Sequence, residues 1–196
     1  AATTFVVFHF ALQEDDVAGA LAAGILTVTL LFAAMLGINR LFVADHEDGG
    51  FDGFLLAPVD RSSLLVSKGL ALLAFLVILE VIALPLFALL LLEPALSLEA
   101  TAKCALVLIL ADIGIAAIGT LVAAIAIRTR TRDLIVPLIA LPLLMPVVIG
   151  AAKALAPTLA LTGAEALPGR WLAVLCLYDL IFGLLAYAVF DYLLED

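Results

Sequence analysis

Charged side chains are scarce in this sequence, and positively charged ones are scarcer still. Only 14% of the 196 residues are charged, and 9 Lys and Arg stand against 18 Asp and Glu, for a formal net charge of −9. With 66% hydrophobic residues, such a chain could not cover its apolar surface in water, which excludes a soluble globular protein and a disordered one. Nucleic acid is disfavoured as a partner, because phosphate contacts need clustered Lys and Arg.

The sequence also lacks the signatures of common enzymes and cofactor sites. It contains no GxxxxGK[ST] phosphate loop, no GxSxG motif and no HExxH motif. Its two cysteines stand in no CxxC pattern, so no metal site is predicted. We therefore expect no enzyme activity, no catalytic residue and no directly bound cofactor in this chain, and we expect transport or membrane assembly instead.

Long apolar runs are what the sequence does contain, and the mean hydropathy is +1.31. Strands of a membrane barrel alternate apolar and polar residues, whereas unbroken runs of about 20 apolar residues predict membrane-spanning helices. Five runs are long enough, namely Val17–Asn39, Leu64–Leu92, Cys104–Ile127, Leu134–Ala152 and Trp171–Phe190. A shorter run, Ala1–Leu12, is interpreted as the outer end of a first helix that begins before this sequence.

The Lys and Arg residues predict the orientation, since cytoplasmic loops are enriched in them. One side of the membrane holds Arg40, Arg61, Lys68, Arg128, Arg130 and Arg132, and the other holds Lys103, Lys153 and Arg170. The first group marks the cytoplasmic side. We therefore predict one all-α domain, residues 1–196, that lies in the lipid bilayer of the cytoplasmic (inner) membrane with six helices and both termini in the cytoplasm.

Three acidic residues fall within the predicted spans: Glu80, Asp112 and Asp179. A carboxylate in hydrocarbon is costly, and an intramembrane acid is a candidate pathway residue by default. Glu80 stands near the centre of its span, whereas Asp112 and Asp179 are predicted nearer the outer third. The alternative for each is a single structural hydrogen bond between helices.

Two further features are unusual for plain membrane helices. His9 stands between two phenylalanines near the predicted outer surface, where an imidazole could ligate a haem iron or simply lie at the interface. Prolines interrupt the fifth run, and each removes a helical hydrogen bond. A broken or re-entrant pair of helices is therefore expected there, with a static kink as the alternative. These prolines are Pro137, Pro142 and Pro146.

The most informative segment is the predicted cytoplasmic loop 40–63. Its candidate contact residues are Phe42, Asp45, Asp48, Gly49, Gly50, Phe51, Phe54 and Leu55. The first three recur at intervals of three along one side of a helix, the glycines can end that helix, and the last three are apolar. An apolar patch bordered by acids predicts a docking surface for a partner with a basic rim. Lipid is the weaker alternative, because anionic lipids attract basic helices.

The pattern Phe42-xx-Asp45-xx-Asp48-Gly49, followed by a Leu-Leu-x-Pro stretch, resembles the FxxDxxDG motif of the CcmB family. CcmB is the haem exporter protein B of cytochrome c maturation, the permease subunit of an ABC-type complex. The resemblance implies a six-helix ABC-2-type permease with haem as its substrate and ATP hydrolysed by a separate chain. It also implies a CcmA-like ATPase, CcmC-like and CcmD-like membrane subunits and a permease homodimer as partners, with 40–63 as the coupling loop.

Three other functions remain open for such a chain. An exporter of the same ABC-2 architecture could move a lipid, a polysaccharide or a drug. A proton-coupled secondary transporter could use Glu80 and would need no ATPase. A structural assembly subunit would need no pathway, and its Glu80 would be replaceable by Gln without effect.

Replacing Asp48 by Lys tests the predicted docking loop. The new cation would face the partner's basic rim, so we expect the ATPase to be lost on co-purification while membrane insertion is unchanged. The measurement is recovery of the ATPase with the solubilised permease. Unchanged recovery would contradict the docking role.

Overall fold

The structure is a computed structural model that describes residues 1–12, 17–41, 61–92, 96–126, 132–160 and 166–193. The contact residues predicted for the loop 40–63, from Phe42 to Leu55, lie outside the described residues. Within these ranges the chain is helical, and no strand occurs in them. The helices are α1 (Ala2–Ala11), α2 (Gly19–Arg40), α3 (Arg61–Leu91), α4 (Leu98–Ala126), α5 (Arg132–Leu155) and α6 (Gly169–Leu193).

The five long helices are the five predicted spans, and the all-α membrane fold is confirmed. Each of α2 to α6 is long and apolar enough to cross a membrane, whereas α1 is a shorter apolar helix. At 1.5 Å per residue, even α2 reaches about 33 Å, which exceeds the roughly 30 Å hydrocarbon core. The main difference from prediction lies in α4, which begins at Leu98 rather than Cys104.

Helix α4 is the centre of the bundle. It contacts α2, α3, α5 and α6, and Val107, Ile118 and Val122 on it are completely buried. Helix α1 packs on α3, where the rings of Phe5 and Phe87 lie 5.4 Å apart. Every functional side chain on α4 is therefore held between several helices rather than at a single interface.

Two glycines allow α2, α3 and α4 to approach closely. A Cβ on Gly37 would lie 2.8 Å from the ring of Phe75, and a Cβ on Gly119 would lie 2.7 Å from Ile38. Leu72 contacts both positions. Because lipid tails are as apolar as leucine, close van der Waals packing of this kind drives helix association in membranes.

Polar side chains inside the bundle are satisfied locally where the helix allows it. The hydroxyls of Thr27, Thr29 and Thr120 each donate to the backbone carbonyl four residues earlier, at 2.6 to 2.8 Å. These hydrogen bonds remove the cost of placing a hydroxyl in an apolar medium. The threonines therefore lie in the core without needing a partner on another helix.

The helices alternate in direction and define two ends of the bundle. Gly19 takes a φ of +58°, and its N–H donates to the Leu159 carbonyl at 2.8 Å, which joins the start of α2 to the end of α5. His9 contacts the end of α3 through the Leu90 carbonyl. We call this the His9 end; there α1, α3 and α5 end, and α2, α4 and α6 begin. Arg40 marks the opposite end.

The variant Gly119→Val tests the close packing of α4 on α2 and α3. Two side chains, Ile38 and Leu72, already fill the space that a new side chain would need. We expect a loss of about 1–3 kcal/mol in the free energy of unfolding, measured by thermal unfolding in detergent. Gly24→Val is the matched control, because nothing lies within 4 Å of its Cβ position. Equal losses in both variants would contradict the packing explanation.

Candidate functional site

Glu80 on α3 and Asp112 on α4 meet inside the bundle, with their carboxyl groups within hydrogen-bonding reach of each other. Only 9% of the surface of Glu80 and 3% of that of Asp112 is exposed. An ionised carboxylate can only accept hydrogen bonds, so a direct bond between two carboxyl groups requires a proton on one of them. Such a proton would leave the buried pair with at most one negative charge and would lower the cost of placing it in hydrocarbon.

Asp112 stands at the middle of α4, and its carboxyl group lies beside that of Glu80. The two acids are therefore at one level of the bundle, rather than at the two different depths expected from the sequence. Helices α3 and α4 are antiparallel neighbours, which brings these two acids together although 32 positions separate them in the chain (112 − 80). The site is shared by two helices inside the bundle.

A small cavity adjoins the carboxyl pair. It measures ≈ 20 Å³, which is enough for one water molecule. Thr27 of α2 and Val147 of α5 also line it, so four helices contribute to its wall. One oxygen of Asp112, Oδ2, is buried and has no hydrogen-bond partner among the described residues. The cavity thus has a mostly apolar wall with three polar residues from three helices.

A larger opening, the α3–α4 groove, lies on the other side of Glu80. It measures ≈ 340 Å³, and its lining includes Glu80, Val81, Pro85 and Thr101. Pro85 has no N–H, so the carbonyl of Val81, four residues earlier, lacks its helical donor. The groove therefore has mostly apolar walls with a few polar groups, and it shares Glu80 and Leu108 with the small cavity.

Asp179 lies on α6 and contacts a different side of α4. A Cβ on Gly114 would lie 2.5 Å from Asp179 Oδ1, so the absence of a side chain at Gly114 makes room for the carboxyl group. This oxygen is buried without a hydrogen-bond partner in the described part of the chain. Asp179 does not line the cavity beside Glu80 and Asp112. The three predicted acids therefore form one pair and one separate site.

Helix α5 passes through its three prolines as one continuous helix, so the prediction of a broken or re-entrant pair is wrong. A neighbouring helix supplies part of the reason: the Tyr178 hydroxyl of α6 donates to the Leu143 carbonyl at 2.7 Å. This carbonyl lies in the turn before a proline, where the ring disturbs the helical hydrogen bonds. Packing against α2, α4 and α6 surrounds the disturbed backbone with protein. The prolines are Pro137, Pro142 and Pro146.

His9 is exposed at the end of α1, with its ring fixed by one hydrogen bond. Nδ1 lies 2.6 Å from the Leu90 carbonyl oxygen. A carbonyl only accepts, so Nδ1 carries the hydrogen, and in the neutral ring Nε2 keeps its lone pair. Histidine ligands use this arrangement, with one nitrogen held by a carbonyl and the other on the metal. Among the described residues, no three His, Cys, Asp or Glu side chains group into a metal site.

Several residues that complete these sites were not predicted from the sequence. Thr27 and Thr101 line the two cavities, Gly114 makes room for Asp179, and Tyr178 supports α5. Their positions offered a weak signal, since each is a small or polar residue in an apolar run. The role of each residue depends on its contacts with other helices, and the local sequence does not specify those contacts.

The chain is similar to proteins of known name over most of its length. It matches the family model described as "CcmB protein" over residues 2–190. A protein of Rhodobacter capsulatus named "Heme exporter protein B" is 34% identical over 143 residues, which is 71% of this chain and 63% of that protein. A protein of the same name from Pseudomonas aeruginosa is 31% identical over 150 residues, 74% of this chain and 64% of that protein.

A third protein with this name, from Bradyrhizobium diazoefficiens, is 31% identical over 148 residues, which is 75% of this chain and 65% of that protein. The chain thus spans somewhat less than two thirds of the length of the curated relatives it matches. No solved structure matches the chain.

The variant Tyr178→Phe tests the support that α6 gives to α5. It removes the hydroxyl that donates to Leu143 and keeps the ring that packs on Phe182 at 4.6 Å. Hydrogen bonds between membrane helices are worth about 0.6 kcal/mol, so we expect the melting temperature in detergent to fall by about 1–2 °C. Tyr187→Phe is the control, because Tyr187 is exposed on the same helix. An unchanged melting temperature for Tyr178→Phe would contradict this role.

Proposed function

The chain belongs to the CcmB family, and from this premise we propose that it is the transmembrane permease subunit of an ABC transporter that exports or delivers haem for cytochrome c maturation. The observation that carries the proposal is the family match over residues 2–190, which includes α2 to α5 and all but the last three residues of α6. The relatives named "Heme exporter protein B" support haem as the substrate. The apolar bundle with a partly polar groove is consistent with an amphiphilic cargo.

The energy for this transport comes from a separate ATPase subunit. The sequence contains no phosphate loop of its own, so ATP has to be bound by another chain. We place the contact in the loop 40–63, at Phe42, Asp45 and Asp48 and at the apolar residues after Gly50. The proposed complex contains a CcmA-like ATPase and CcmC-like and CcmD-like membrane subunits.

The permease acts as a homodimer in this proposal, because two ATPase subunits are needed to enclose ATP and each requires one docking loop. It lies in the cytoplasmic membrane with both termini in the cytoplasm, as the distribution of Lys and Arg favours. In that orientation the His9 end faces away from the cytoplasm. Haem leaving the permease would then pass this end.

His9 is the residue we assign to the haem iron at that end. Its Nδ1 is occupied by the Leu90 carbonyl, and its exposed ring leaves Nε2 for an iron ligand. Phe10, 76% exposed, lies edge-on to the imidazole at 5.2 Å and offers an apolar surface to the porphyrin. Haem is a cargo here, held briefly, rather than a resident cofactor.

Deleting the gene in its own organism tests the substrate. We expect covalent haem to disappear from c-type cytochromes, detected by haem staining of denaturing gels, and to return when a plasmid supplies the gene. Proteins that hold haem without a covalent bond should keep it and serve as the control. Normal c-type cytochromes together with loss of a lipid or polysaccharide product would instead favour a different ABC-2 exporter.

The variant His9→Ala, supplied on the same plasmid, tests the iron contact separately. Loss of a ligand should lower covalent haem in c-type cytochromes severalfold while the permease remains in the membrane. Val7→Ala is the matched control, since Val7 is an exposed residue of the same helix. Full activity of His9→Ala would overturn the role of His9 and leave haem export as the function of the chain.

A further inference from the structure

We propose that Glu80 and Asp112 form an intramembrane binding site for one proton, with a single water molecule in the adjoining cavity. The proposal does not depend on haem as the substrate. It begins with the close approach of the two buried carboxyl groups, which line one cavity. Two carboxylates cannot hydrogen-bond to each other, whereas one proton shared by the pair allows them to lie this close.

A second observation points to a ligand in the cavity. Asp112 is 3% exposed and lines the cavity of ≈ 20 Å³, and its Oδ2 has no partner in the described part of the chain. A buried water needs two to four polar partners. Asp112 Oδ2, a Glu80 carboxyl oxygen and the Thr27 hydroxyl oxygen are available as acceptors, because the pair's proton lies between the two carboxyl groups and the Thr27 hydroxyl already donates to Ala23. A water has two hydrogens and can donate to two of these three. A water there satisfies the unpaired oxygen.

No Lys, Arg or His lines the cavity among the described residues. A proton is therefore the positive charge that would compensate the negative charge of the two carboxyl groups. Glu80 and Asp112 are the titratable groups in the cavity lining, and α2 and α5 contribute Thr27, Val147 and other uncharged residues. On α6 the facing titratable group is Asp179, which lies against Gly114 and adds negative charge. Lys103 is near the start of α4, where it pairs with Glu99 at 2.7 Å.

The other cations of the packed helices stand toward the helix ends: Arg40 on α2, Arg61 and Lys68 on α3, Arg132 and Lys153 on α5, and Arg170 on α6. Among the described side chains, none of these cations lines the cavity.

Glu80 also gives the site a route for exchange. Glu80 lines both the small cavity and the α3–α4 groove, so it is in contact with both openings. Thr101, near the start of α4, lines the same groove toward the His9 end. A proton would enter or leave along this side. Loss of the proton leaves two carboxylates at hydrogen-bond distance, and their repulsion acts to separate α3 from α4.

Infrared spectroscopy of the purified chain in lipid at neutral pH tests the site directly. Protonated carboxyl groups and carboxylates absorb in separate bands, and the protonated band shifts in heavy water. We compare the wild type with the double variant Glu80→Gln/Asp112→Asn, whose amides have nearly the same shape and keep a hydrogen bond. In the double variant we expect the intensity of the protonated band to fall by the equivalent of one carboxyl group, and that of the carboxylate band by the equivalent of one carboxylate.

Each other result overturns the proposal. Loss of two carboxylate bands means that the pair holds no proton, and loss of two protonated bands means that it holds two. The same difference measured in an Asp179→Asn background shows that the signal does not come from Asp179. If the double variant fails to fold, carboxyl groups labelled with carbon-13 in wild-type Asp and Glu provide the same count by nuclear magnetic resonance.

Discussion

A polar group inside hydrocarbon has no water to bond to, and the structure of this chain depends on that constraint. It explains why the described residues form helices, which satisfy their own backbone, and why buried threonines donate to carbonyls in the turn before them. It also explains why α5 remains continuous through its prolines, with a tyrosine from α6 on one of the disturbed carbonyls. The remaining polar groups, the carboxyl groups, have to hydrogen-bond to one another or become protonated.

The carboxyl groups respond to the same constraint in two ways. Glu80 and Asp112 lie within hydrogen-bonding reach of one another across α3 and α4, whereas Asp179 lies against the bare backbone at Gly114 with one oxygen unpaired among the described residues. An acid that serves only to join helices would need no adjoining cavity. The combination of a pair, a cavity and a groove on α3 and α4 sets this region apart from the rest of the bundle.

Sequence reasoning predicted the parts of the fold that depend on composition. The five spans follow from apolar runs of sufficient length, and the sequence also identifies the polar residues within those runs. Pairing could not be predicted in this way, because the contact between Glu80 and Asp112 depends on how α3 and α4 pack against each other, which the apolar runs do not specify. The prolines misled for a related reason: their local effect on a helix is known, but the neighbouring helices that compensate it are distant in the chain.

The close packing of Leu72 between Gly37 and Gly119 joins α2, α3 and α4 toward the Arg40 end. This contact is the point about which α4 would rotate relative to its neighbours. Asp112 stands about 10 Å along α4 from Gly119, and Leu98 about 32 Å. If α4 rotated as a rigid body about that point, a displacement of Asp112 would be roughly threefold larger at Leu98, the start of α4. A small movement at the carboxyl pair would thus become a much larger movement at the end of the bundle.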